Sequence, residues 1–146
     1  MWYYGDKEFT SDMIENYVGF VYVITDLSND KKYVGKKLFT SKRRLPPLKG
    51  KTRKRIVLKE SDWMGYYGSS DEVKALLEEK GADNFRRDIL HLCESKGVMS
   101  YLEAKEQFDR DVLLSEEYYN GIINCKIHRS HVKSLISNEK KISKKG

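Results

Sequence analysis

The run Gly19-Phe20-Val21-Tyr22-Val23-Ile24-Thr25 constrains the fold more than any other part of the chain. β-Branched and aromatic side chains lose rotamer freedom in a helix but pack well on a pleated surface, so the run is a strand. Its apolar residues are consecutive rather than alternating, which marks the strand as largely buried. Asp26-Leu27-Ser28-Asn29-Asp30 is dense in turn formers, and Lys32-Tyr33-Val34-Gly35 reads as the returning strand of a hairpin.

Ser69-Ser70-Asp71-Glu72 opens a helix with capping hydroxyls and first-turn acids; Val73, Leu76 and Leu77 form its apolar face and Gly81 ends it. Phe85 to Leu92 reads as a third strand, with Phe85, Ile89 and His91 on one side. Ser100-Tyr101-Leu102-Glu103 has the form of a capping box, predicting a second helix that runs to Leu114. Tyr118-Tyr119-Asn120-Gly121 turns the chain, and Ile122 to Ile127 is a candidate short strand. This order predicts an α+β domain whose central sheet of about three strands is flanked by helices. The expected boundaries are an N-terminal extension at 1–18, the domain at 19–127 with a basic loop inserted at 36–59, and a basic tail at 128–146.

A chain of 146 residues suits one domain. The longest apolar stretch, Val18 to Ile24, is far too short to cross a bilayer. Met1 to Asp6 lacks the basic and apolar regions of a secretory signal, and Cys93 and Cys125 cannot make a disulfide framework. A soluble, cytoplasmic protein is expected. The placement of charge is more informative than its net value of +6. Residues 1–35 carry 3 basic and 6 acidic side chains, and 60–125 carry 7 and 15. Residues 36–59 carry 11 basic and no acidic ones, and 126–146 carry 7 and 1. Unpaired like charges at this density need a polyanion, and a phosphate backbone is the leading candidate. The bland alternative, a solvated loop and tail, competes most strongly for the C-terminal block. Pro46-Pro47 forbid a continuous helix through the first block, whose middle reads as a mobile loop.

Phe20-Val21-Tyr22, ten intervening residues and Tyr33-Val34-Gly35 resemble the paired signature of the GIY-YIG nucleases, with Phe-Val standing where the name has Gly-Ile. Lys36 follows the glycine, and Arg43 falls ten residues after Tyr33, as in that superfamily. The wider text is similar to the phage homing-endonuclease-like branch: Ser61-Asp62-Trp63, Tyr67-Gly68-Ser69-Ser70, Leu102-Glu103-Ala104-Lys105 and Tyr118-Tyr119-Asn120. The resemblance spans Gly19 to Ile127. It implies a DNA endonuclease, a hydrolase of phosphodiester bonds that uses a single divalent ion, Mg²⁺ (or Mn²⁺), on double-stranded DNA. It further implies that Tyr22 and Tyr33 handle the attacking water and that one helical glutamate, Glu103 or Glu106, holds the metal. Asn120 matches a late asparagine that helps build the site.

The chemistry of the residues fits those roles and leaves alternatives. Phosphodiester hydrolysis needs an activated water and stabilisation of developing charge. A phenol titrates near ~10, so Tyr22 or Tyr33 needs a nearby cation or a metal-bound water to act at neutral pH; otherwise the pair is a cross-strand contact. Arg43 suits transition-state charge because a guanidinium fork matches phosphate oxygens, with Arg44 one residue away as the alternative register. Lys36 is a phosphate ligand or a strand-end solubiliser. Lys37, Arg44, Lys49, Lys51, Arg53, Lys54 and Arg55 are candidate DNA contacts. Ser69 and Ser70 either touch phosphate at a helix N-terminus or only cap it. Glu103 sits where a capping-box acid would; Glu106 lies closer to the apolar edge of Leu102 and Leu113. A DNA-binding protein without turnover on the same fold is the alternative function. A zinc site drawn from His91, Cys93, Cys125, His128 and His131 is a rival chemistry, though its spacing matches no standard finger.

Overall fold

The computed structural model describes residues 1–53, 55–124 and 126–135, the side chains of Arg43, Arg44 and Ile56 excepted. The elements are β1 (Trp2–Tyr4), β2 (Lys7–Phe9), β3 (Gly19–Asp26), β4 (Lys32–Leu38), β5 (Thr40–Leu45), β6 (Arg55–Glu60), α1 (Asp71–Lys80), β7 (Phe85–Cys93) and α2 (Lys96–Asp109). The α+β class is as expected, but the central sheet has five strands in the order β2-β1-β7-β3-β4. The β1–β7 pair is parallel and the others are antiparallel. The two additional strands come from residues 1–18, expected as an extension. They are three residues each, too short to show a period, yet Trp2 and Phe9 are among the most buried side chains of the protein.

The sheet has two unlike faces because strand side chains alternate. Trp2, Phe9, Phe20, Tyr22, Ile24, Phe39, Trp63 and Ile89 pack an aromatic core on one side. Val21, Val23, Val34, Cys93, Met99 and Val112 pack a smaller aliphatic core toward α2 on the other. The register of β3 against β7 slips between Val21, opposite His91, and Tyr22, opposite Ile89. The extra residue, Leu90, turns His91 toward α2, so His91 does not share a face with Phe85 and Ile89 as alternation alone predicts.

Helix α1 follows the sequence reading: Ser70 Oγ accepts from the Val73 N–H, and Gly81 ends the helix at φ 83°. Helix α2 does not. It starts five residues before Ser100, where Ser95 Oγ accepts from the Val98 N–H at 3.2 Å, and it ends at Asp109 rather than Leu114. Ser100 lies inside the helix and takes a hydrogen bond from Lys36 instead, which removes the capping-box role of Glu103. The basic segment is also more ordered than a loop. β5 and β6 form a separate two-stranded antiparallel ribbon, with Pro46 and Pro47 in the connection, where no ladder N–H is required. No helix among the described residues is long and apolar enough to cross a membrane.

Candidate active site

β4 is the outer strand of the sheet, and its free edge organises the site. Residues 117–120 run along that edge. The Lys32 N–H donates to Glu117 O at 2.9 Å and the Tyr119 N–H to Lys32 O at 2.7 Å. Asn120 continues the ladder with its side chain: Val34 N–H donates to Oδ1 at 3.0 Å and Nδ2 donates to Val34 O at 2.8 Å. Asn120 is therefore buried with both its amide oxygen and its amide nitrogen bonded, bracing the strand that carries Tyr33, Gly35 and Lys36. Its own neighbour is anchored in turn, because the Tyr119 hydroxyl donates to the fully buried Asp26 at 2.8 Å.

A cavity of about 230 Å³ opens over this edge, lined by Tyr33, Gly35, Lys36, Ser69 and Glu103, with Gln107, Ile122 and Asn124 on its far side. Tyr33 reaches it from the aromatic face, and Lys36 and Glu103 from the α2 face. Gly35 makes the crossing possible. A Cβ there would lie 2.7 Å from Tyr22 Cζ and 3.1 Å from Tyr33 Cε1, so only hydrogen fits beneath the two rings. Gly68, at φ +90°, passes over the outer face of Tyr33 in the same way; a Cβ would stand 3.2 Å from the ring. The adjoining Ser69 then meets the Tyr33 hydroxyl at 3.0 Å. The loop bearing Gly68 and Ser69 is held by buried Arg87, which donates to Met64 O at 2.9 Å and Tyr66 O at 2.8 Å and stacks against Tyr67.

The two tyrosines differ in access. Tyr22 is 1% exposed and lies under Gly35, packed against Trp2, Phe20 and Tyr66. Tyr33 alone lines the cavity. Burial pushes the Tyr22 phenol well above its ordinary range, with neighbouring Tyr66, Tyr33 and Glu103 adding to the shift. Burial also raises Tyr33, against a smaller opposing effect of the Ser69 hydrogen bond. No described cation offsets these shifts, so both phenols hold their protons at neutral pH.

The two glutamates have opposite surroundings. The Glu103 side chain is 12% exposed and has Lys36 Nζ at 3.8 Å as its ion-pair partner. Burial raises its carboxyl above the usual range, and Lys36 recovers only part of that. Glu106 faces away and has both oxygens engaged, Oε1 with His91 Nε2 at 2.8 Å and Oε2 with Arg110 Nε at 2.9 Å. Burial of Glu106 is outweighed by these hydrogen bonds and charges, and its carboxyl is held low. Glu103 is thus an under-neutralised carboxylate in a cavity, and Glu106 a satisfied one outside it.

The remaining candidates separate from the cavity. Lys37 points to the opposite face of β4, bonded to Asp62 at 2.7 Å and over the Tyr66 ring. Ser70 is the cap of α1. Arg43 and Arg44 lie in β5, paired with Val57 and Ile56. Lys49, Lys51, Arg53 and Arg55 are exposed toward the far end of the ribbon. Lys54, Cys125 and the tail from residue 136 lie outside the described residues. Of the zinc candidates, Cys93 is buried, with its thiol pushed up to about 11, and His91 is bound to Glu106. No group of three or more His, Cys, Asp or Glu placed to hold a metal occurs among the described residues.

Residues 2–123 match the family described as "Putative endonuclease segE, GIY-YIG domain". The chain belongs to the GIY-YIG nuclease family. The match starts at Trp2, in agreement with the place of β1 in the sheet and seventeen residues before the hairpin that carries the signature. Comparison with curated proteins and with solved structures gives no significant match. The GIY-YIG cavity also holds residues that sequence reasoning did not single out. Gln107 stands one helical turn beyond Glu103, a spacing that does put both on one face. Its Nε2 donates to Val34 O at 3.0 Å, and its buried Oε1 has no partner among the described residues. Ile122 and Asn124, also in the lining, had no comparable signal.

Proposed function

We propose that this GIY-YIG protein is a DNA endonuclease that hydrolyses phosphodiester bonds with one divalent ion, Mg²⁺ or Mn²⁺, bound at Glu103. The observation that carries this reading is the under-neutralised Glu103 carboxylate in a cavity shared with Tyr33, Lys36 and Ser69. Mg²⁺ keeps much of its water shell and takes one or two carboxylates, so a single buried glutamate among hydroxyl and amide oxygens fits it. Such an ion supplies charge for the developing phosphorane and lowers the pKa of bound water. The chain's own groups do the rest. Lys36 offers a cation to a phosphate oxygen, and Arg43 offers a second from β5. Tyr33, protonated at neutral pH, holds a proton at the cavity wall and orients the water or the phosphate through its hydroxyl. Tyr22 acts from beneath, fixing Tyr33 and Gly35. Asn120 keeps the edge strand straight. The exposed cations of the ribbon hold the duplex. Purified protein incubated with supercoiled plasmid tests the proposal: nicking in Mg²⁺ that stops in EDTA, with binding retained, supports it. Binding without cleavage at any metal concentration would leave a DNA-binding protein on a nuclease fold.

A further inference from the structure

The β5–β6 ribbon pairs with nothing but itself among the described residues, yet it carries apolar side chains. Leu58 is 69% exposed and Val57 37%. As neighbours on one strand they point to opposite faces, so each face of the ribbon leaves an aliphatic side chain open to solvent. Cations surround them: residues 40–60 hold nine Lys and Arg and a single acid, Glu60. Glu60 is at the root, bound by Ser11 at 2.6 Å and Trp63 Nε1 at 2.7 Å, and so is withdrawn from the outer part of the ribbon. Lys42 stands directly opposite Leu58 in the register, which puts a cation and an aliphatic group on the same face.

We infer that this ribbon enters the major groove of B-form DNA and contacts base edges there. The inference rests on the endonuclease reading for its duplex, and it adds how that duplex is held. Charge alone would give a loop lying along phosphates, for which exposed Leu58 and Val57 are useless. A protein partner would favour a patch whose centre is depleted of charge, whereas here the aliphatic groups are interleaved with lysines and arginines. The major groove presents both matching surfaces, the acceptor edges of guanine and the methyl groups of thymine. It is also wide enough, about 12 Å, to admit a two-stranded ribbon, and the minor groove, about 6 Å, is not. The ribbon is rigidly joined to the cavity. β4 runs into β5 through the single residue Phe39, fully buried, whose N–H donates to Val18 O at 2.9 Å and whose carbonyl accepts from the Ser61 N–H at 2.7 Å. Groove docking therefore sets which phosphate reaches Glu103 and Lys36.

The test is fluorescence anisotropy of the whole protein on a labelled linear duplex of mixed sequence, in EDTA so that the duplex stays intact. Methyl green, a major-groove ligand, should displace the protein, and netropsin, a minor-groove ligand, should not. Leu58→Ser and Val57→Ser, checked for folding by circular dichroism, should each weaken binding about fourfold, the transfer value of one buried methyl group. Their salt dependence should match the wild type because the same number of phosphates is neutralised. Leu114→Ser, at an 86% exposed position outside the ribbon, should bind as wild type. Displacement by netropsin but not methyl green, displacement by neither, or unchanged affinity of both serine variants would each overturn the inference. Those results in a protein that still nicks plasmid leave the endonuclease reading standing; failure to bind any duplex removes both.

Discussion

Gly35→Ala is the substitution for which the structure gives the sharpest expectation. The added Cβ would overlap the Tyr22 hydroxyl and lie 2.7 Å from Tyr22 Cζ, closer than real Cβ atoms approach their neighbours. Tyr22 cannot yield, since Trp2, Phe20 and Tyr66 enclose it with ring centroids 5.4, 5.8 and 6.1 Å away. Relief must come from β4 moving outward or from Tyr33 swinging off Ser69. Overpacking of this kind costs ~1–3 kcal/mol. With an unfolding entropy of about 2.1 cal/mol/K per residue, that lowers Tm by roughly 3–10 °C for a chain of this size. Both routes of relief displace the cavity wall, and a 1 Å misplacement of reacting groups costs on the order of 100-fold in rate. Thermal melts followed by circular dichroism give the first quantity, and plasmid nicking well below Tm gives the second. A variant melting within about 1 °C of wild type and nicking at the wild-type rate would refute the claim that Gly35 is required by the two rings.

Other outcomes follow from the same geometry. Asp26 is fully buried; burial raises its carboxyl, but hydrogen bonds from Ser28, Asn84, Lys80 and Tyr119 outweigh this and hold it far below its ordinary value. A depressed folded pKa stabilises above the unfolded value of about 4 and is lost as pH falls below it. Asp26→Asn should therefore cost about 3 kcal/mol at neutral pH and flatten the acid limb of stability against pH, as read by urea midpoints. In metal-free protein the tyrosinate absorbance that Tyr33→Phe removes should appear later in a pH titration than that of an ordinary phenol, at about pH 10, since burial raises that phenol. Arg43→Ala should abolish nicking and keep duplex affinity; loss in Arg44→Ala instead would shift the register by one residue. Replacing Lys49, Lys51, Arg53 and Arg55 with Gln should reduce the slope of log affinity against log salt by about 0.9 for each phosphate no longer neutralised.

The hairpin, α1 and the spacing of Tyr22, Tyr33 and Lys36 are legible in the sequence because β-branched runs, turn formers and caps act locally. β1 and β2 are not, since a three-residue strand has no period and Trp2 takes its place through residues distant in sequence, Phe20, Tyr22, Trp63 and Arg87. The start of α2 is misread because Ser100-Tyr101-Leu102-Glu103 has the form of a capping box, whereas in the structure Ser95 caps the helix and Ser100 takes a hydrogen bond from Lys36 on another element. The same long-range interactions separate Glu103 from Glu106. Arg110, four residues along, gives Glu106 a local partner that Glu103 lacks, but only β7 with its bulge brings His91 to Glu106 and only β4 brings Lys36 to Glu103. The basic block announces a polyanion by charge but hides its ribbon, because Lys and Arg obscure strand propensity until Ile56-Val57-Leu58 is paired with its partner strand.

The central claim is that Glu103 holds a divalent ion and Glu106 does not. Glu103→Gln and Glu106→Gln, each confirmed as folded and able to bind duplex, should be compared on supercoiled plasmid across a titration of Mg²⁺. Glutamine keeps the shape and removes the charge a hard cation needs. Glu103→Gln should be inactive at ordinary metal concentration and partly rescued at high Mg²⁺. Glu106→Gln should keep its metal dependence and lose rate only through a weakened hold on His91 and Arg110. Full activity in Glu103→Gln, or a metal requirement shifted by Glu106→Gln alone, would contradict the assignment.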